Sequence, residues 1–290
     1  MFDNIFAAIE KWMRELLTGM VESNMSTMFT DVNEKTSEIA AQVGRTPQNW
    51  NSNVFSMIQN LSESVVVPIA GIIITLVLCY ELISMLTERN NLHDVDTWMF
   101  FKYFVKAWVA IYLVSNTFTI TMAVFDVGQS VVNSASGIIN GETAIDVSSL
   151  SMQMQAAMAT MEIGELVVLA LETFLVSFCM KIMSVVITVI VYGRMIEIYL
   201  YTSLAPIPFA TMSNREWGHV GTNYFRGLFA LAFQAFLMMV CVAIYAALIS
   251  SVRISSNMHS ALIGVAAYTV ILCFSLMKTG SLSKQIFGSH

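Results

Sequence analysis

The sequence predicts an all-α polytopic membrane protein. It has N-terminal amphipathic helices, five transmembrane helices, and a proline-broken element that either re-enters the membrane or crosses it a sixth time. Three observations predict this. Of 290 residues, 56% are apolar and only 12% are charged, about half the ~25% that a soluble domain carries. Five apolar stretches reach the roughly 20 residues that cross a hydrocarbon core. Ahead of them, apolar positions recur at steps of three and four between charged ones, the pattern of an amphipathic helix. With so few charges the chain could not cover a soluble surface, so lipid is the solvent for much of it.

The first segment, Met1 to Met20, carries Phe2, Ile5, Phe6, Ile9, Met13, Leu16, Leu17 and Met20 on one helical face, with Asp3, Asn4, Lys11, Arg14, Glu15 and Thr18 mostly opposite. It is too charged to span and lacks the continuous apolar region of a cleavable signal peptide. A second stripe, Met25, Met28, Phe29, Val32, Ile39 and Val43, stops at Gly44 with Pro47 just beyond, a normal helix ending. Each stripe suits packing on the rest of the protein or docking on lipid. The five spans are Val65–Met85, interrupted only by Glu81, Ala107–Phe125, Leu166–Tyr192 with Glu172 and Lys181 inside it, Gly227–Ser251, and Ser260–Met277. Between the third and fourth, Ile198 to Asn214 is also apolar but holds Pro206 and Pro208. Two prolines so close cannot both sit in a regular helix interior. Such a break is tolerated where the freed carbonyls face protein or water. The organisation expected is an outer amphipathic region (1–60), two spans (61–125), an outer loop (126–165) and a C-terminal bundle (166–290).

Orientation follows from Lys and Arg. From Asp126 to Glu165 there are five acidic residues and no basic one, which places this loop outside; Arg89, Lys102 and Lys106 place the preceding loop in the cytoplasm. The N-terminus is then outside. With five crossings and a re-entrant proline element, Arg194, Arg215, Arg226, Lys278 and Lys284 all fall inside, leaving Arg253 outside. That arrangement obeys the positive-inside bias better than six crossings, although Lys11, Arg14, Lys35 and Arg45 run against both.

Sites of chemistry are sparse. The net charge is −6, from 14 Lys+Arg against 20 Asp+Glu, and no basic block supports a nucleic-acid surface. Cys79, Cys179, Cys241 and Cys273 each lie in an apolar run and read as buried hydrophobes. His93, His219, His259 and His290 are scattered near segment ends. The outer loop carries Met154, Met158 and Met161 on one helical face; thioethers bind Cu(I), but without Cys or His beside them flexible packing at an assembly surface is the better reading. No catalytic motif is present, so neither an enzyme nor a cofactor is expected. A charge inside a span costs about 2.5–3.5 kcal/mol. Glu172 and Lys181 are nine positions apart, on opposite faces, and each needs a partner from another helix, another subunit or water. Lys102 and Lys106 snorkel at the cytoplasmic end, and Arg194 with Glu197 reads as a local pair.

In SLAPIPFATMSNREWGHVGTNYFRGLFALAFQAFLMMV, Ser203 to Val240, the small–proline pair Ala205 and Pro206 follows an apolar helix. Arg215 and Trp217 then precede the next span. This segment resembles the polytopic TrbL-like inner-membrane subunit of type IV secretion and conjugation machines. LSESVVVPIAGIIITLVLCYELISMLTERNN and HDVDTWMFFK resemble the branch found in conjugative elements of Gram-positive bacteria. The resemblance extends over essentially the whole chain, and its motifs are structural. It implies a multi-pass channel subunit of the cytoplasmic membrane that homo-oligomerises. Its partners would be ATPases, a coupling protein, bitopic membrane proteins and translocating DNA or relaxase-bound DNA. The candidate structural or pore residues are Glu172, Lys181, Pro206, Pro208, Arg215 and Trp217. The alternative is a transporter or ion channel with a substrate site at the broken helix; the absence of an internal repeat favours the secretion reading.

Overall fold

The computed structural model describes residues 2–87, 97–139, 147–214, 216–251 and 258–289. The described residues are 92% helical, with no strand among them. Arg215, one of the predicted site residues, lies outside the described residues, as do Arg89, His93, Arg253 and His290.

The two N-terminal stripes form one helix, α1 (Phe2–Val43). Val21, Glu22, Ser23 and Asn24 between them include no Gly or Pro, and Gly19 just before costs about 1 kcal/mol, too little to stop a long helix. The stripes differ in fate. Met25, Met28, Phe29, Val32, Ile39 and Val43 are buried, whereas Ile5, Phe6, Ile9 and Leu16 are exposed. The helix ends as expected: Thr46 accepts the Asn49 N–H and Pro47 opens the short α2 (Pro47–Trp50). Asn51 accepts the Asn53 and Val54 N–H groups and starts α3 (Ser52–Leu61), which runs through a π-helical turn (Ser62–Val66) into α4 (Val67–Thr87). The first predicted span is therefore part of a longer helical run, Ser52–Thr87.

The second predicted span, Ala107–Phe125, is cut. Helix α5 (Thr97–Ser115) stops at Asn116 and α6 (Thr117–Ile139) starts beyond it. Asn116 Nδ2 donates to the Tyr112 carbonyl, and Thr117 Oγ1 to those of Leu113 and Val114. Such side-chain donors compete with the backbone ladder and bend helices. In the segment expected as an outer loop, α7 (Val147–Met158) leads to α8 (Ile163–Ser203). After α9 (Pro206–Thr211) come α10 (Gly218–Ser250) and α11 (Met258–Ile286). Among the described residues, five helical runs are long and apolar enough to cross a membrane: Ser52–Thr87, Thr97–Ser115, Ile163–Ser203, Gly218–Ser250 and Met258–Ile286. The number agrees with the sequence reading; the second span is displaced toward the N-terminus.

The chain forms two compact units. One comprises Met1–Val43, Ser134–Val191 and Met238–Lys278. Here α7 packs on α1; Met154 and Met158 of α7 are buried, as are Met25 and Met28 of α1. The methionine face is thus an internal seam of the unit and not an assembly surface. Gln155 Nε2 donates to Glu22 Oε1 at 2.8 Å, and Arg14 Nη1 to the Met161 carbonyl at 2.8 Å. The other unit comprises Gly44–Asn133, Tyr192–Leu237 and Thr279–His290. In it α4, α5 and α9 pack on one another, around Ala70, Ile74, Leu78, Ala110, Val114, Phe209 and Ala210.

Replacing Met158 by Ala removes a fully buried side chain and is expected to cost about 2–5 kcal/mol. Met152, exposed on the same helix, is the control. Thermal unfolding of the two purified variants in mild detergent should show a loss of stability for Met158→Ala only.

Candidate functional site

The element around the prolines is built by where the chain lacks donors. In an uninterrupted helix Pro206 and Pro208 would leave the carbonyls of Thr202 and Leu204 without their i+4 N–H groups. The chain solves this by ending α8 at Ser203 and restarting. The Thr202 carbonyl accepts from Ala205 N at 3.3 Å and the Leu204 carbonyl from Ile207 N at 3.2 Å. Both prolines then occupy the first turn of α9, where backbone donors have no intrahelical acceptor in any case. Other carbonyls near the end of α8 are also taken: Ser203 Oγ donates to Leu200 O, and Tyr224 Oη to Tyr201 O at 2.8 Å. The sequence reading sends the freed carbonyls toward other subunits or water; the structure satisfies these within the chain.

Tyr201 Oη returns a bond to the Tyr224 carbonyl at 3.1 Å, and the two rings stack with centroids 4.4 Å apart. This reciprocal clasp joins the C-terminal end of α8 to the first turns of α10, with α9 between them in the chain. Gly221 allows α10 to approach α9. A Cβ there would stand 2.5 Å from the Pro208 carbonyl oxygen, far inside van der Waals contact.

Below α9 lies a polar cluster. Glu81 of α4 is 9% exposed. Its carboxylate accepts from Lys106 Nζ of α5 on one oxygen and from Asn214 Nδ2, at 3.3 Å, on the other. Asn214 is itself buried, and its Oδ1 caps the N–H groups of Glu216 and Trp217. The side chain that closes the turn after α9 therefore also fixes the acid of α4. Tyr80 donates to Glu216 Oε2 at 3.0 Å and stacks on Trp217 at 5.7 Å. Lys102 sits over the Trp98 ring. Tyr80, Glu81, Lys102, Lys106, Asn214 and Glu216 border a cavity of about 410 Å³.

Of the predicted residues, Pro206, Pro208 and Trp217 are thus brought into one site. Glu172 and Lys181 belong to the other unit. Glu172 of α8 pairs with His259 of α11, a partner on another helix of the same chain. Lys181 makes no ion pair among the described residues. It is exposed on the stripe formed by Phe174, Phe178, Val185 and Val189. The expected Arg194–Glu197 pair is replaced. Lys284 Nζ donates to Glu197 Oε1 at 3.0 Å, and the Nε of buried Arg194 has no hydrogen-bond partner among the described residues. The residues missed are Glu81, Lys106 and Asn214. Lys106 reads as a snorkelling lysine from sequence, yet it neutralises Glu81. Complementary charges at facing ends of two consecutive spans were the available signal.

The model of a family described as TrbL/VirB6 plasmid conjugal transfer like protein matches residues 32–206. No curated protein and no solved structure matches the chain. The match takes in the 61–91 and 93–102 stretches but ends at Pro206, so most of Ser203–Val240, the segment that carries the resemblance in the sequence reading, falls beyond it.

Lys106→Met leaves Glu81 buried without its cation and is expected to destabilise by roughly 3 kcal/mol. Adding Glu81→Leu should restore most of that stability. A double-mutant cycle on the detergent-solubilised protein measures the coupling, and additive losses would mean that the pair does not act as one.

Proposed function

The chain belongs to the TrbL/VirB6 plasmid conjugal transfer like family, and from that premise we propose that it is a channel subunit of a conjugative type IV secretion machine. It is a multi-pass membrane protein of structural rather than catalytic kind. In this reading it sits in the cytoplasmic membrane with its N-terminus outside and its C-terminus inside. It homo-oligomerises and passes DNA or relaxase-bound DNA in concert with ATPases, a coupling protein and bitopic membrane subunits.

The observation that carries the oligomeric channel reading is Lys181. An ammonium on an exposed apolar stripe of a spanning helix is unfavourable in lipid by about 2.5–3.5 kcal/mol. Phe174, Phe178, Val185 and Val189 flank it on the same face, and a lysine in mid-span is too far from either interface to snorkel. A neighbouring subunit that covers this stripe and offers a counter-charge or a hydrated opening removes the penalty. The proline hairpin supports the re-entrant arrangement. Trp217 is 44% exposed at its end, as interfacial tryptophans are, and Lys102 and Lys106 stand on the same site. The transporter alternative needs broken-helix carbonyls free to coordinate substrate, and those of Thr202 and Leu204 are occupied.

Lys181→Leu is expected to leave insertion intact, weaken the oligomer in mild detergent and lower conjugative transfer at least tenfold. Undiminished transfer with an unchanged oligomer would sink the channel reading. Replacing Pro206 and Pro208 together by Ala restores two backbone donors and lets α8 continue, which unseats Phe209 and Ala210 from α4. Membrane insertion should persist while transfer is lost. A single cysteine at Ser213 should react only from the cytoplasmic face, and those in the Asp126–Glu165 loop only from outside. Labelling of Ser213 from outside would require six full crossings.

A further inference from the structure

The most informative unexplained surface is the outward face of α1. Between Ser23 and Ala41 the exposed positions are Ser23, Ser26, Thr27, Thr30, Glu34, Ser37 and Ala41. At 100° per residue they fall on one side of the helix, opposite the buried Met25, Met28, Val32 and Ile39. No large apolar residue interrupts this face.

Its depth is fixed by contacts within one compact unit. Arg14 bonds the Met161 carbonyl, just before α8 begins, and Lys35 Nζ bonds Thr188 Oγ1 at 3.1 Å. The intervening stretch of α1, residues 14 to 35, is roughly 32 Å long at 1.5 Å per residue, about the thickness of a hydrocarbon core; α1 would then run at membrane depth beside α8 in addition to the five apolar spans, against the expectation that residues 1–60 stay outside. Asp31 and Lys35 stand beside Met180, Ser184 and Ile187, in the middle of the spanning helix α8. On that helix, at the same level, Phe174, Phe178, Val185 and Val189 are exposed. One side of this layer therefore presents an apolar stripe with Lys181 as its single charge, the face assigned above to a neighbouring subunit, and the other presents hydroxyls and a carboxylate.

Lipid cannot cover both. Glu34 alone would cost about 2.5–3.5 kcal/mol in the bilayer centre. The hydroxyls do not need lipid-free surroundings individually, since Thr27 donates to the Ser23 carbonyl, but a run of them beside Glu34 offers nothing for acyl chains to pack on. We infer that the Ser23–Ser37 face of α1 lines an aqueous passage at membrane depth, with the apolar stripe of α8 forming its dry outer side. This rests on the channel reading above and adds which surface is wet. The wall is hydroxyl-rich and carries one carboxylate, Glu34; Lys35, off this face, is paired with Glu38. It suits a hydrated route that favours cations near the wall and does not retain a polyanion.

The test uses single cysteines in intact cells expressing the full transfer machine, in a variant lacking Cys79, Cys179, Cys241 and Cys273. If that variant does not insert, the natural chain with its four cysteines serves as the background. Ser26→Cys, Thr30→Cys and Ser37→Cys should react with membrane-impermeant methanethiosulfonates, and Phe178→Cys and Val185→Cys should not. At Thr30 and Ser37 the cationic reagent should react several-fold faster than the anionic one, and Glu34→Gln should abolish that preference. Absence of labelling on α1 overturns the inference. So does equal labelling of α1 and α8, which would put this whole layer in bulk water. Labelling as expected in cells where deletion of the chain leaves transfer intact would refute the channel function and leave the wet face standing.

Discussion

Two missing backbone donors organise the C-terminal half of this protein. Pro206 and Pro208 cannot serve the carbonyls of Thr202 and Leu204, and in a membrane an unserved carbonyl costs several kcal/mol. Ending α8, tightening two turns and restarting as α9 removes that cost with local bonds from Ala205 and Ile207. The consequence is a short helix that cannot bury its own apolar residues. Phe209 and Ala210 must find a surface, and they find it on α4 and α5. Gly221 and the Tyr201–Tyr224 clasp hold α8 and α10 close enough for this seat to exist.

The polar cluster under α9 follows from the same break. A chain that turns after α9 needs a cap, and Asn214 supplies it. Its amide then meets Glu81, whose charge Lys106 balances. A buried carboxylate with a cation and an amide donor is tolerable where a bare one is not. The ion pair thus ties three elements of different sequence origin, α4, α5 and the turn after α9, into one rigid support. A structural subunit of a secretion machine needs such a fixed element more than it needs reactive groups, and the residues here hold shape.

The charges of the other unit divide into satisfied and unsatisfied. Glu172 is closed off by His259, and Lys35 by Glu38 and Thr188. Lys181 is left on an apolar stripe, and Glu34 on a hydroxyl face. Both are unfavourable against hydrocarbon, but they face different surroundings. The first calls for a dry neighbour with a complementary group, the second for water. The assembly of subunits around a hydrated route proposed above would provide both at once.

Composition alone determined that lipid is the solvent, because 12% charged residues cannot cover a soluble surface of this size. Periodicity and length determined five spans, the amphipathic α1 and the end of that helix at Gly44 and Pro47. The two prolines determined that the sixth apolar stretch must break, since their chemistry is local. What the sequence could not settle depended on partners distant in the chain. The second span moved because Asn116 and Thr117 turn their side chains onto the backbone, a competition decided by packing. Met154 and Met158 became core because α1 lies over them. Arg194 lost Glu197 to Lys284, 87 residues away, and Lys106 proved to neutralise Glu81, 25 residues away. Helical spacing reports which residues share a face. Only the tertiary structure decides what that face meets, because a charge pairs with whatever opposite charge the fold brings near it.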